Sequence, residues 1–90
     1  MTKSTLKSMP YAQATVITFD NGNITLRSYS TDVIIISDGW MSCTGTYSQT
    51  TRKHISAFMR EFNLGDYYLA KKLYEMGVKM NLFTGEIVPI

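Results

Sequence analysis

The sequence predicts an α+β domain in which two antiparallel β-hairpins form one sheet and an αα-hairpin packs on one face of that sheet. Two turn signals predict the hairpins, because Asp20-Asn21-Gly22 and Asp38-Gly39 each stand between segments of alternating apolar and polar residues. A third observation predicts the helices: from Thr50 onward, apolar residues recur at helical spacing. At 90 residues, the chain is expected to be a single domain with a small core.

Composition and charge narrow the range of functions. The 44% hydrophobic and 18% charged shares are those of a folded globular chain. A formal net charge of +2 is too small for a general attraction to nucleic acid or anionic lipid, so such a role needs local clustering of cations. The lone cysteine excludes an internal disulfide. Since no unbroken apolar run exceeds the four residues of Val33–Ile36, we expect a cytoplasmic protein with no membrane partner.

The first part of the chain is predicted to build the sheet. Residues 1–10 are expected to form a flexible or edge arm, because Pro10 holds the residue before it extended. Residues 12–45 are expected to form the sheet, and a two-residue type I′ turn at Asn21-Gly22 sets the register of the first hairpin. The expected pairs are Phe19 with Ile24 and Ile17 with Leu26.

The second hairpin is predicted around Asp38-Gly39, with Ile36 opposite Met41 and Ile34 opposite Cys43 on one face. The other face is also apolar, because it carries Val33, Ile35 and Trp40. Such a strand is either covered on both faces or part of a partner-binding surface.

Residues 50–76 are predicted to form two helices. In the first, a buried stripe is expected at Ile55, Phe58, Met59 and Phe62, with Ser48 or Thr50 as the N-cap. Asp66 is the expected cap of the second helix, and Gly77 is expected to end it in the left-handed conformation. The tail, residues 78–90, is expected to form a small hairpin or a strand added to the sheet edge.

The start of the first helix is a candidate anion site, because hydroxyl and cationic side chains gather where backbone amides are free. The residues concerned are Thr50, Thr51, Arg52 and Lys53. In the alternative interpretation, these are ordinary caps and solvated charges. The second helix interleaves aromatic and basic residues, a composition that can stack bases and contact phosphates or simply cover a small sheet. A nucleic-acid surface on the two helices would use Arg52, Lys53, Arg60, Lys71 and Lys72.

No set of residues gives a strong prediction of catalysis. Cys43 and His54 are a conceivable nucleophile and base, but no third orienting group is evident. The carboxylates are turn, cap or helix-surface residues. The sequence therefore predicts a protein that is not an enzyme, with no cofactor and no metal.

The junction Gly45-Thr46-Tyr47-Ser48 followed by Thr50-Thr51-Arg52-Lys53-His54-Ile55 resembles that of a family of small uncharacterised domains found in phages and gut bacteria. The resemblance covers roughly residues 26–74, and the junction is its specific part. It implies a phage or mobile-element accessory protein in the bacterial cytoplasm. Proteins of that class often bind and block a host machine, including the nucleases of CRISPR systems.

The leading functional hypothesis is a non-enzymatic inhibitor or modulator that binds a host protein complex, with self-association as a companion expectation. Its expected partner-binding residues are Val33, Ile35, Trp40, Tyr67 and Tyr74, because aromatic and apolar side chains are enriched at protein interfaces. The second hypothesis is a nucleic-acid-binding accessory protein, and the third is a Cys43/His54 hydrolase.

Overall fold

The computed structural model describes all 90 residues, and its strands form one antiparallel sheet whose spatial order follows the chain. The elements are β1 (Thr2–Ser4), β2 (Ala14–Thr18), β3 (Ile24–Ser28), β4 (Thr31–Ser37), β5 (Trp40–Cys43), α1 (Gln49–Glu61), α2 (Tyr67–Met76), β6 (Val78–Asn81) and β7 (Ile87–Pro89). The α+β class and the order of hairpins before helices are confirmed. The sheet is larger than predicted, because its seven strands include one before the first hairpin and two after the helices.

Both helices pack on one face of the sheet, where α1 contacts β3 and α2 contacts β5 and β6. A row of directly opposite residues crosses four strands under them: Val16, Leu26, Ile34 and Cys43. All four are buried, as are the α1 residues Ile55, Phe58 and Met59. Burying each large apolar side chain contributes about 1.5–3 kcal/mol, so this layer is the main source of stability.

Local signals set the helix ends as predicted. The Ser48 side chain accepts a hydrogen bond from the amide of Thr51, and Asp66 caps α2 in the same way. Gly77 ends α2 with a φ of 66°, a left-handed conformation that glycine adopts without steric cost.

The predicted register of the first hairpin is wrong by one residue. Val16, rather than Ile17, lies opposite Leu26. The loop has three residues, because the amide of Gly22 donates to the carbonyl of Phe19 and the amide of Phe19 donates to the carbonyl of Asn23. Only Gly22 has a positive φ there, as in a type I turn followed by a bulge residue, so the two-residue type I′ turn does not form.

The second hairpin follows its predicted register, with Ile36 opposite Met41 and Ile34 opposite Cys43. Asp38 and Gly39 both have positive φ, as the type I′ turn requires. A β-bulge nevertheless interrupts the pairing of β3 with β4 between Leu26 and Arg27, where β4 carries one extra residue, Val33. Bulges re-aim side chains, and Val33 is fully buried in the core.

The chain termini complete the sheet. β1 pairs with β2, and Leu6, in the turn that follows, is fully buried in the core. Of the two predicted forms of residues 1–10, a flexible arm or an edge arm, the structure has the second, with β1 as an edge strand of the sheet. The tail forms both structures considered from the sequence, since β6 and β7 are a hairpin and β6 also pairs with β5.

Candidate anion-binding groove

The outer face of α1 is basic. Arg52, Lys53 and Arg60 are exposed, while the apolar stripe of the helix faces the sheet. Arg52, Ser56 and Arg60 are spaced at i, i+4 and i+8, which places them along one side of the helix. The guanidinium of Arg60 donates to the hydroxyl of Ser56 at 2.9 Å, which holds it against the helix surface.

A groove of about 620 Å³ separates the C-terminal part of α1 from the turn that follows β1. We call it the N-terminal groove, and it is lined by Lys7, Ser8, Met9, Lys53, Ser56, Ala57, Arg60 and Glu61. Two contacts fix its outer wall. The backbone amide of Lys7 donates to Oε1 of Glu61 at 2.7 Å, and the adjacent Leu6 is buried in the core.

A second concavity of about 370 Å³ lies between the start of α1 and the start of α2. We call it the interhelical pocket, and it is lined by Gln49, Arg52, Lys53, Ser56, Tyr67 and Tyr68. Lys53 and Ser56 line both concavities, so the two lie side by side along α1, and together we call them the α1 groove.

The α1 groove concentrates positive charge that the whole chain does not show. Its lining contains Lys7, Arg52, Lys53 and Arg60, against Glu61 as the single carboxylate. The two ion pairs of the fold lie elsewhere, between the N-terminal ammonium and Asp20 and between Arg27 and Asp32. The groove cations therefore have no carboxylate partner within ion-pair distance, and their charge is available to a ligand.

The tyrosines of the interhelical pocket form an edge-to-face pair, with ring centroids 5.6 Å apart and an angle of 65° between planes. Tyr67 packs against the core, and its hydroxyl is the one buried side-chain polar atom with no hydrogen-bond partner. Tyr68 is 71% exposed, so much of its ring is open to a flat ligand. The pocket thus combines aromatic surface from α2 with cations from α1.

Some side chains at the start of α1 are exposed to solvent and others are buried in the interior. Thr50 is exposed, but Thr51 is 4% exposed and His54 is 1% exposed. The hydroxyl of Ser28 lies 3.0 Å from that of Thr51 and 2.8 Å from Nδ1 of His54, so these side chains bond to one another. Thr51 therefore cannot contact an anion in solvent, because its hydroxyl belongs to a buried network that joins α1 to β3.

Burial gives His54 and Cys43 the properties of core residues. Desolvation lowers the pKa of His54 below its ordinary value of 6.5. It raises the pKa of the Cys43 thiol, which lies 3.4 Å from the carbonyl of Gly45. A raised pKa disfavours the thiolate, and His54 bonds to Ser28, so the geometry gives no support to a nucleophile and base pair.

The remaining predicted residues lie outside the α1 groove. Lys71, Lys72 and Tyr74 are on α2 but line neither concavity. Ile35 and Trp40 are half-buried on the sheet face opposite the helices, where Nζ of Lys79 lies 5.2 Å from the centre of the Trp40 ring. Val33 does not join them, because the β-bulge places it in the core, so it cannot contact a partner.

The sequence interpretation missed the groove residues Lys7, Met9 and Glu61 and the network residue Ser28. Lys7 and Glu61 are 54 positions apart, and no local pattern joins them. Ser28 did carry a signal, since it follows Leu26 by two positions and therefore shares its face of the strand.

No helix has the length and apolar character needed to cross a membrane. No three side chains of His, Cys, Asp or Glu gather closely enough to hold a metal ion.

The fold and the groove together define a small α+β domain with a basic, partly aromatic concavity beside its first helix. The model of a family of unknown function, DUF8033, matches residues 2–75, and the chain belongs to this family. The match begins at the first residue of β1 and ends at Glu75, one residue before the end of α2. No curated protein and no solved structure matches the chain.

Proposed function

We propose that this protein is a nucleic-acid-binding accessory protein that acts by binding and not by catalysis. The observation that carries the proposal is the α1 groove, where four cations face one carboxylate and none of the four is ion-paired. Phosphate contacts by Lys and Arg supply most of the affinity of proteins for nucleic acid, and they require clustering rather than a high net charge.

The surface involved differs from the one expected from the sequence. Arg52, Lys53 and Arg60 remain, and Lys7 joins them, because the turn after β1 lies beside α1. Lys71 and Lys72 line neither concavity and serve as internal references for the effect of charge alone.

Gel shift or fluorescence anisotropy at low salt tests the proposal. Binding should weaken steeply as salt rises, with a slope that reports the number of phosphates contacted. Changing Lys53 or Arg60 to Gln should weaken binding and reduce that slope by about 0.7–0.9, the value for one neutralised phosphate. The matched control Lys72→Gln removes the same charge from an exposed site outside the groove and should leave the slope unchanged. A wild-type protein that binds no nucleic acid at low salt would rule out this function.

A second candidate function is the leading hypothesis from the sequence: a phage-encoded inhibitor that binds a host protein complex in the bacterial cytoplasm. Its support is the sheet face opposite the helices, which carries Ile35 and Trp40 and which no helix covers. Aromatic anchors of this kind are enriched at protein interfaces.

Affinity capture from a bacterial host lysate, followed by mass spectrometry, tests this second function. A partner retained by the wild type and lost with Trp40→Ala would support the sheet face, and Tyr11→Ala is a suitable control because Tyr11 is 99% exposed. Light scattering on the same two variants shows whether the sheet face joins two copies instead. A strictly monomeric protein that captures no partner would exclude the second function.

A further inference from the structure

The interhelical pocket offers two kinds of surface on opposite walls. Tyr67 and Tyr68 come from the first turn of α2, whereas Arg52 and Lys53 come from the first turns of α1. A nucleotide has the same division, since a flat base lies on one side of the sugar and a charged phosphate on the other. Stacking of a base on an aromatic side chain is tolerant of sequence, because every base has a flat π-face.

The cations of the α1 groove also extend over a distance longer than a single nucleotide. From Arg52 to Arg60, α1 rises about 12 Å at 1.5 Å per residue. Neighbouring phosphates of one strand are about 3.4 Å apart along the axis even in the compact duplex. Arg60 and Lys7 are therefore far enough from the pocket to contact a different phosphate of the same strand.

The concave shape of the α1 groove favours a single strand over a duplex as the ligand. The cations lie on the walls of grooves, between the turn after β1 on one side and α2 on the other. In a duplex the bases are stacked on one another, so they have no free face for Tyr68. A single strand is flexible enough to enter the groove and can turn an unstacked base toward the ring.

From this arrangement of side chains we propose that the α1 groove binds single-stranded nucleic acid. One base stacks on Tyr68 in the interhelical pocket, and the following phosphates lie along Arg52, Lys53, Arg60 and Lys7. This inference rests on the proposed nucleic-acid-binding function and adds the class of ligand and the residue that holds the base.

Fluorescence anisotropy with a labelled oligothymidylate and with a labelled duplex of equal length tests the inference. The single strand should bind the wild-type protein more tightly than the duplex. Tyr68→Ala should raise the Kd for the single strand about 10-fold, because it removes the stacking surface. Tyr68→Phe keeps the ring and should retain wild-type affinity.

Tyr74→Ala is the matched control, since it removes an exposed tyrosine from the same helix at a position outside the pocket. Its Kd should equal that of the wild type. Circular dichroism on each variant establishes that the fold is retained, as the high exposure of Tyr68 leads us to expect.

Each failure has a distinct meaning. Equal affinity for duplex and single strand would overturn the single-strand inference and leave the proposed function standing. Equal effects of Tyr68→Ala and Tyr74→Ala would overturn the base position in the pocket. No binding of either nucleic acid would overturn the proposed function itself.

Discussion

Nδ1 of His54 lies 2.8 Å from the hydroxyl oxygen of Ser28, and both side chains are almost completely buried. The network continues from Ser28 to the hydroxyl of Thr51 and from there to Ser48, the N-cap of α1. The N-cap of α1 is thus linked to strand β3 through Thr51. The hydroxyl-rich junction before the helix therefore fixes the helix on the sheet, while its cationic neighbours face solvent.

Ser28→Ala should destabilise the protein by about 1–3 kcal/mol, because it leaves the buried Nδ1 of His54 without its partner and removes one of the two hydrogen bonds of the Thr51 hydroxyl. Urea denaturation should show a lower midpoint with an unchanged slope. Ser30→Ala is the control, since Ser30 is exposed and two positions away on the same segment. Equal midpoints for the two variants would show that the network does not contribute to stability.

The stability of the protein should fall as the pH drops below about 6.5. The pKa of His54 is lower in the fold than its ordinary value of 6.5, so the unfolded chain takes up a proton first and acid favours unfolding. The contribution of neutral His54 to the free energy of unfolding is fully present above pH 6.5. It is lost as the pH falls toward the lower pKa that His54 has in the folded state. In His54→Gln this pH dependence should be absent. The difference in stability between the wild type and the variant should therefore change as the pH falls. Parallel profiles between pH 7 and pH 5 would contradict this origin of the effect.

Cys43 should react slowly with thiol reagents in the native protein. Its side chain is 3% exposed, and burial raises the pKa of the thiol, so both access and thiolate formation are disfavoured. The labelling rate should increase with urea concentration below the unfolding midpoint, as it does when opening of the fold limits the reaction. Protein unfolded in urea provides the reference for an accessible thiol. Fast labelling of the native state would make a catalytic role for Cys43 a serious hypothesis again.

Val33→Thr should cost about 1–3 kcal/mol, because it places a hydroxyl without a partner in the core. Val88→Thr makes the same change at a half-buried position of the last strand and should alter stability by less than about 0.5 kcal/mol. Thermal unfolding of both variants measures the difference. A neutral Val33→Thr would place this residue at the surface, as first expected from the sequence.

Much of the fold follows from local sequence, and the second hairpin shows why. Asp38-Gly39 adopts the positive φ values of a type I′ turn, and that turn alone sets the pairing of Ile36 with Met41. The helix caps at Ser48 and Asp66 and the end of α2 at Gly77 were predictable for the same reason. In each case, residues within a few positions of one another satisfy the backbone.

The sequence by itself determined the α+β class, the caps of both helices and the exposed cations of α1. Only the tertiary structure decided which surfaces those elements form. The loop hydrogen bonds at Gly22 shifted the first register, and the β-bulge moved Val33 into the core. The α1 groove depends on Lys7, which reaches α1 because burial of Leu6 and the bond to Glu61 hold the turn in place. Contacts between residues so far apart in the chain depend on the packing of the whole sheet, which no local pattern encodes.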